Sequence, residues 1–150
     1  MTDIDLKGFH FFNGMKAEHL KIFSEHMIKE NFKVNEYIVK EGEPALKFFL
    51  ILKGRVSIEM LSPEGKHFSI QTLTTGEIVG WSWMVPPYRS QFSVRALEAT
   101  EMLMMDGESL KKRSEKDHDF GYELFQRLVN IFTQRLQAAR QHLIALYSST

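Results

Sequence analysis

The sequence has no cysteine. That excludes disulfides and thiolate metal sites, and it fits a reducing compartment. Neither sign of charge is in excess, because 19 Lys and Arg balance 19 Asp and Glu across 150 residues. A free-standing nucleic-acid binder carries a basic surplus to neutralise phosphates, so no nucleic-acid partner is expected through this chain. No apolar run approaches a membrane span, and Met1-Thr2-Asp3-Ile4-Asp5 is acidic where a signal peptide is basic. The expectation is a soluble, cytoplasmic protein without membrane contact. Long linkers, low-complexity tracts and sequence repeats are lacking too. No nucleophile–base pair, defined carboxylate pair or phosphate-cradling glycine loop is recognisable, so no catalytic residues and no enzyme are expected.

The six histidines are scattered, whereas a metal needs three or four converging ligands. His19 and His26 share a helical face, but Glu18 and Glu25 beside them make it a solvated surface. No metal site is expected, and nothing in the spacing of His10 or His67 asks for haem. Lys111-Lys112-Arg113, flanked by Glu108 and Glu115, reads as a solvated helix face. Met102, Met104 and Met105 read as adaptable core filling.

What the chain does have, from Glu36 to Ala96, is a series of strand-like runs broken by turn residues. Glu41-Gly42-Glu43-Pro44, Lys53-Gly54-Arg55, Pro63-Glu64-Gly65-Lys66 and Thr75-Gly76-Glu77 separate runs rich in Val, Ile, Phe and Leu. Short strands at regular spacing predict a small all-β barrel or jelly roll. Strands are expected at Phe32–Val39, Phe48–Leu52, Val56–Met60, around Phe68 and Ile70, at Phe92–Leu97 and at Glu101–Met105. Phe48–Leu52 is continuously apolar, as in a strand buried on both faces. Val56, Ile58 and Met60, and then Phe68 and Ile70, alternate with polar residues as in half-buried strands. A helix carrying Leu20, Phe23 and Met27 precedes them.

From about Asp119 the period becomes 3.6. Phe125, Val129, Phe132, Leu136, Ala139, Leu143 and Leu146 follow one another in steps of four and three, a heptad-like seam. Leu124, Leu128 and Ile131 form a second, shorter stripe. A helix from 119 to 147 is roughly 43 Å long, more than one small barrel can cover. The shorter stripe is expected on the chain's own barrel and the longer one against a second copy, giving a homodimer. The predicted organisation is one domain over 1–150, with a barrel at about 28–106 and a C-terminal dimerisation helix at about 119–147.

These elements, in this order, resemble the cyclic-nucleotide-binding domain of the catabolite-activator-protein family of regulators. The resemblance is carried by Ile38-Val39-Lys40-Glu41-Gly42-Glu43-Pro44-Ala45, Phe49-Leu50-Ile51-Leu52-Lys53-Gly54-Arg55-Val56, Thr75-Gly76-Glu77-Ile78-Val79-Gly80, Ser93-Val94-Arg95-Ala96 and Asp106. It implies a jelly-roll, double-stranded β-helix barrel with flanking helices, mainly β and α+β overall, acting as a regulatory ligand sensor. Regulators of that family continue into a helix-turn-helix domain. This sequence leaves no room for one after Ser148-Ser149-Thr150, so the expectation is the sensor part without the DNA-binding part.

The family's ligand cassette reads Phe-Gly-Glu-Leu-Ala-Leu, followed by Pro-Arg-Ser/Thr/Ala-Ala. Its glutamate accepts from the ribose hydroxyl, while the arginine and backbone N–H groups hold the cyclic phosphate. Here Val79-Gly80 fits, but Trp81 stands at the glutamate position and Ser82-Trp83-Met84 replaces the aliphatic run. Arg89 falls one residue early, Ser90 takes the arginine position and Gln91 replaces the alanine. The resemblance therefore implies ligand contacts at Gly80, Trp81, Ser82, Trp83, Arg89 and Ser90. Indole offers only an N–H donor and cannot replace the carboxylate, so weak binding of cyclic nucleotides is implied and the ligand stays unidentified. Three readings stand: a sensor with a non-standard pocket, an interaction scaffold whose pocket Trp81 and Trp83 fill, and the detached sensor half of a transcription factor.

Overall fold

The computed structural model describes residues 4–149. The chain divides into two units between Lys112 and Arg113. The first opens with short 3-10 helices at Leu6–Gly8 and His10–Phe12, then α1 (Ala17–His26). Eight strands follow: β1 (Ile28–Phe32), β2 (Tyr37–Val39), β3 (Lys47–Lys53), β4 (Arg55–Leu61), β5 (His67–Thr74), β6 (Ile78–Val79), β7 (Ser93–Ala96) and β8 (Thr100–Asp106). They form two antiparallel four-stranded sheets, ordered β1-β8-β3-β6 and β2-β7-β4-β5. This is the expected jelly roll, built as two facing sheets with flanking helices.

Period-2 alternation fills the space between the sheets. Phe49, Ile51, Val79 and Met102 from one sheet meet Val56, Ile58, Leu73 and Val94 from the other. On the opposite face of β3, Phe48 and Leu50 are fully buried as well. Phe48 lies 5.6 Å from Phe11 and 5.9 Å from Phe23, ring centre to ring centre, so the N-terminal segment covers that face. The continuous apolar run of β3 is thereby explained. Met102 and Met105 are buried and Met104 packs at the edge of the core.

Three expectations are corrected. Of the stretch Phe32–Val39, expected to be strand, only the two ends are, in different sheets, separated by a turn in which Asn35 adopts φ 71° and Glu36 Oε1 accepts from Lys33 N–H. Phe68 and Ile70 are not half-buried but 54% and 37% exposed. For Phe68, opposite Met60, the reason is that β7 covers β4 only from Val56 to Glu59; Ile70 is the residue left unpaired where the β4–β5 register shifts between Ile58 and Glu59. His19 is buried rather than solvated, because at 100° per residue it falls with Leu20 and Phe23 on the inner side of α1. His26 is exposed as expected, its Nδ1 2.8 Å from the Ile22 carbonyl.

α2 (Gly107–Lys116) crosses the boundary between the units, and α3 (His118–Ser148) makes up most of the second. Asp117 caps α3 by accepting from Phe120 N–H. Of the shorter stripe, Leu124 and Leu128 are buried and Ile131 half-buried. The longer stripe is mostly exposed, including Phe125, Val129, Leu136, Leu143 and Leu146, while Phe132 is half-buried. Among the described residues no helix is long and apolar enough to cross a membrane.

Gly54 sits between β3 and β4 with φ 111°, and a Cβ there would come within 2.8 Å of Thr100 Cα and 2.9 Å of the Ala99 oxygen. Both are backbone atoms that cannot step aside. Gly54→Ala is expected to lower stability by roughly 2–4 kcal/mol in denaturant unfolding, strain and overpacking together.

Candidate ligand site

The cassette region runs from Gly80 to Phe92, between β6 and β7. Gly80 has φ 83°, a left-handed conformation that turns the chain out of β6 and aims its carbonyl at the Trp83 indole. Ser82–Met84 form one 3-10 turn, and the loop beyond it is tied to the segment after β2. Arg89 Nη1 donates to the Gly42 carbonyl at 2.8 Å, Ser90 N–H to Glu43 O at 2.9 Å and Ala45 N–H to Tyr88 O at 2.9 Å.

The two tryptophans have separate roles. Trp83 is 3% exposed, donates its N–H to Gly80 O at 2.6 Å and sets its ring edge-on to Phe48 at 6.2 Å. Its indole also lies where a Cβ on Gly107 would have to go, so glycine at the start of α2 makes room for it. Trp81 is half-buried and lies 5.3 Å from the Phe92 ring.

A cavity of about 210 Å³ opens between this cassette, β2 and the 40–47 loop. Ile38, Val39, Pro44, Ala45, Phe49 and Phe92 give it apolar walls. Ser82 and Ser90 line it with their residues buried, and Lys40, Glu43 and Lys47 border it where the chain is exposed. Tyr37 also lines it, but its hydroxyl donates to Glu59 Oε1 at 3.0 Å. Burial, and then the bond to Glu59, hold the Tyr37 hydroxyl above the usual phenol pKa. Glu59 itself is 3% exposed and takes Arg95 Nε at 2.8 Å, so the charge on that buried carboxylate is paired.

Of the six residues named from the sequence, Gly80, Ser82 and Ser90 line the cavity. Trp81, Trp83 and Arg89 are not among its lining residues. Trp83 instead borders a second cavity of about 220 Å³ with Leu46, Tyr88, Asp106 and Lys111. Lys111, read as part of a solvated face, is half-buried and holds its Nζ 3.8 Å from the Tyr88 ring centre. The walls from β2 and the 40–47 loop were missed as site residues. Their only sequence signal was Ile38-Val39 and Pro44-Ala45 within the resemblance.

The family model described as cyclic nucleotide-binding domain matches residues 29–117, more than half of the sequence. The chain belongs to that family. No curated protein matches it. Among solved structures, this cyclic nucleotide-binding domain is similar to a protein of Geobacter metallireducens assigned as cyclic nucleotide-binding, at 25% identity, TM-score 0.78, over 87% of this chain and 95% of that one. It is similar to a cyclic nucleotide-binding domain from Methylobacillus flagellatus at 18% identity, TM-score 0.79, over 93% and 79%. The catabolite activator protein of Thermus thermophilus aligns at 19% identity, TM-score 0.72, over 91% of this chain and 62% of its own. The latter two likenesses establish the fold.

Because Trp83 belongs to the core and Trp81 to the rim of the cassette, their truncations separate. Trp83→Ala is expected to cost roughly 3–5 kcal/mol of stability, with Trp81→Ala costing clearly less. Equal losses in parallel urea titrations would contradict that assignment.

Proposed function

We propose that this cyclic nucleotide-binding domain is a non-enzymatic sensor that takes a small molecule beside its divergent cassette and works as a homodimer through α3. The observation that carries the reading is the cavity of about 210 Å³, bounded by the cassette and by neither indole. A pocket filled by its own tryptophans, as an interaction scaffold would have, is less well supported by that lining. The reading holds for a free-standing sensor and for the sensor part of a larger regulator. Ligand binding selects one arrangement of the cassette, and the dimer transmits the choice.

Support for the dimer comes from the long stripe. Phe125 is 47% exposed, Leu136 and Leu143 are each 53% and Leu146 is 62%, along a helix of 31 residues, about 46 Å. An apolar seam in four–three spacing is suited to a second copy of the same helix. Sedimentation at micromolar concentration is expected to give a dimer. Phe132→Glu with Leu136→Glu is expected to give a monomer with an unchanged far-UV spectrum, and a wild-type monomer would end this part of the proposal.

Ordinary cyclic nucleotides are poor candidates for the ligand. Trp81 removes the ribose-accepting carboxylate, a loss of roughly 1.5–3 kcal/mol. Cyclic AMP and cyclic GMP are expected to bind with Kd above about 10 μM, each 1.4 kcal/mol being tenfold. Trp81→Glu is expected to tighten binding. Sub-micromolar affinity of the unaltered chain in calorimetry would contradict this reading.

A further inference from the structure

Two hydroxyls in the cavity lack partners. Ser82 is 6% exposed and Ser90 9%, both line the cavity, and neither side chain has a hydrogen-bond partner among the described residues. Neither hydroxyl oxygen is among the buried unpaired atoms, so both are open to the cavity, where a bound group can accept from them. Tyr37 Oη and Trp83 Nε1 are committed elsewhere, to Glu59 and to Gly80 O, and Arg89, which does not line the cavity, turns Nη1 to Gly42 O.

Charge and size narrow the ligand. Lys40 and Lys47 border the cavity without an ion-pair partner among the described residues, against Glu43 as the one bordering carboxylate, so the local balance favours an anion. The cavity, about 210 Å³, lies below the about 300–1,000 Å³ usual for drug-sized ligands, which favours a small molecule. Most of the wall is hydrocarbon, with Val39, Phe49 and Phe92 among it.

We infer that the cavity binds a small organic monoanion, a carboxylic acid with an apolar body. Its carboxylate, an acceptor only, accepts hydrogen bonds from the Ser82 and Ser90 hydroxyls, and Lys40 and Lys47 supply the charge preference. The chain or ring lies against Phe49 and Phe92. The inference rests on reading this cavity as the sensor's ligand pocket.

Hexanoate and phenylacetate are the probes, with hexan-1-ol and 2-phenylethanol as their uncharged counterparts and cyclic AMP in parallel, all on the full chain. Trp81 lies 5.3 Å from the ring of Phe92, a wall of the cavity, so tryptophan fluorescence reads entry to the cavity and the unfolding temperature reads binding independently. The expected result is saturable binding of at least one acid, about tenfold tighter than its alcohol. Ser82→Ala and Ser90→Ala should each weaken the acid about tenfold and leave the alcohol unchanged. Should either serine variant fail to fold, the exposed Lys47→Met is expected to erase the preference for acid over alcohol. Equal binding of acid and alcohol, or serine variants that bind the acid normally, would overturn the inference. If cyclic AMP saturates the site and neither acid does, the sensor reading stands and the acid falls. If neither acids nor nucleotide bind, and Ser82→Ala with Ser90→Ala raises the unfolding temperature, both fall.

Discussion

Trp83 ends a line of aromatic rings that passes from Phe12 to Phe23 to Phe48, with centres 5.0, 5.9 and 6.2 Å apart in turn. Its N–H closes on the carbonyl of Gly80, three residues earlier. Those two contacts fasten the cassette to the back of β3 and fix where the chain leaves β6. A loop held only by its own backbone bonds to the 40–47 segment would be free to settle into the adjacent space. With the indole anchored on the core side, the ring is withdrawn from the cavity, and Ser82, one residue before it, faces the opening. An aromatic anchor of this kind contributes through buried area as well as edge-to-face geometry.

The second constraint is the carboxylate of Glu59. Alternation along β4 places it on the outer face of its sheet, where the sequence suggests an ordinary solvated glutamate. Instead Tyr37 and Arg95 close over it, and Arg95 reaches Asn35 Oδ1 at 2.8 Å. A buried charge is tolerated when paired and hydrogen-bonded, and costly if one partner is lost. The network spans β2, β7 and β4, so it also sets the position of the β2 wall of the cavity. The position of that wall thus depends on Glu59 and Arg95, neither of which lines the cavity.

The sheets were legible because turn residues and alternation are local signals. Glycines at 42, 54, 65 and 76 all take positive φ, and the strands they separate form where the alternation puts them. The break at Asn35 was less visible, since no glycine or proline marks it and a left-handed asparagine looks like any polar residue in a strand. The exposure of Phe68 depends on how far β7 extends and that of Ile70 on the register shift opposite Ile58 and Glu59, both matters of strand pairing that alternation alone does not show. The cavity was only half legible. Gly80, Ser82 and Ser90 were found through the cassette, but Ile38, Val39, Pro44 and Ala45 are residue types that carry no chemistry of their own. Conversely, Trp83, which drew attention as an unusual residue, is buried against Phe48 and borders the second cavity rather than the first.

β5 stands last in its sheet, paired with β4 alone among the described residues. Its eight residues, His67 to Thr74, contain neither proline nor lysine, and Met60, Leu61, Phe68 and Ile70 lie exposed at the end of the same hairpin. Natural edge strands are usually blunted by such residues or covered. A chain whose formal charge is zero at neutral pH adds little electrostatic repulsion between molecules. Crowded solutions near neutrality therefore favour strand-to-strand stacking of this rim, a colloidal route to precipitation that is separate from any assembly through α3. Moving the pH away from neutrality, so that the surface carries net charge, opposes it.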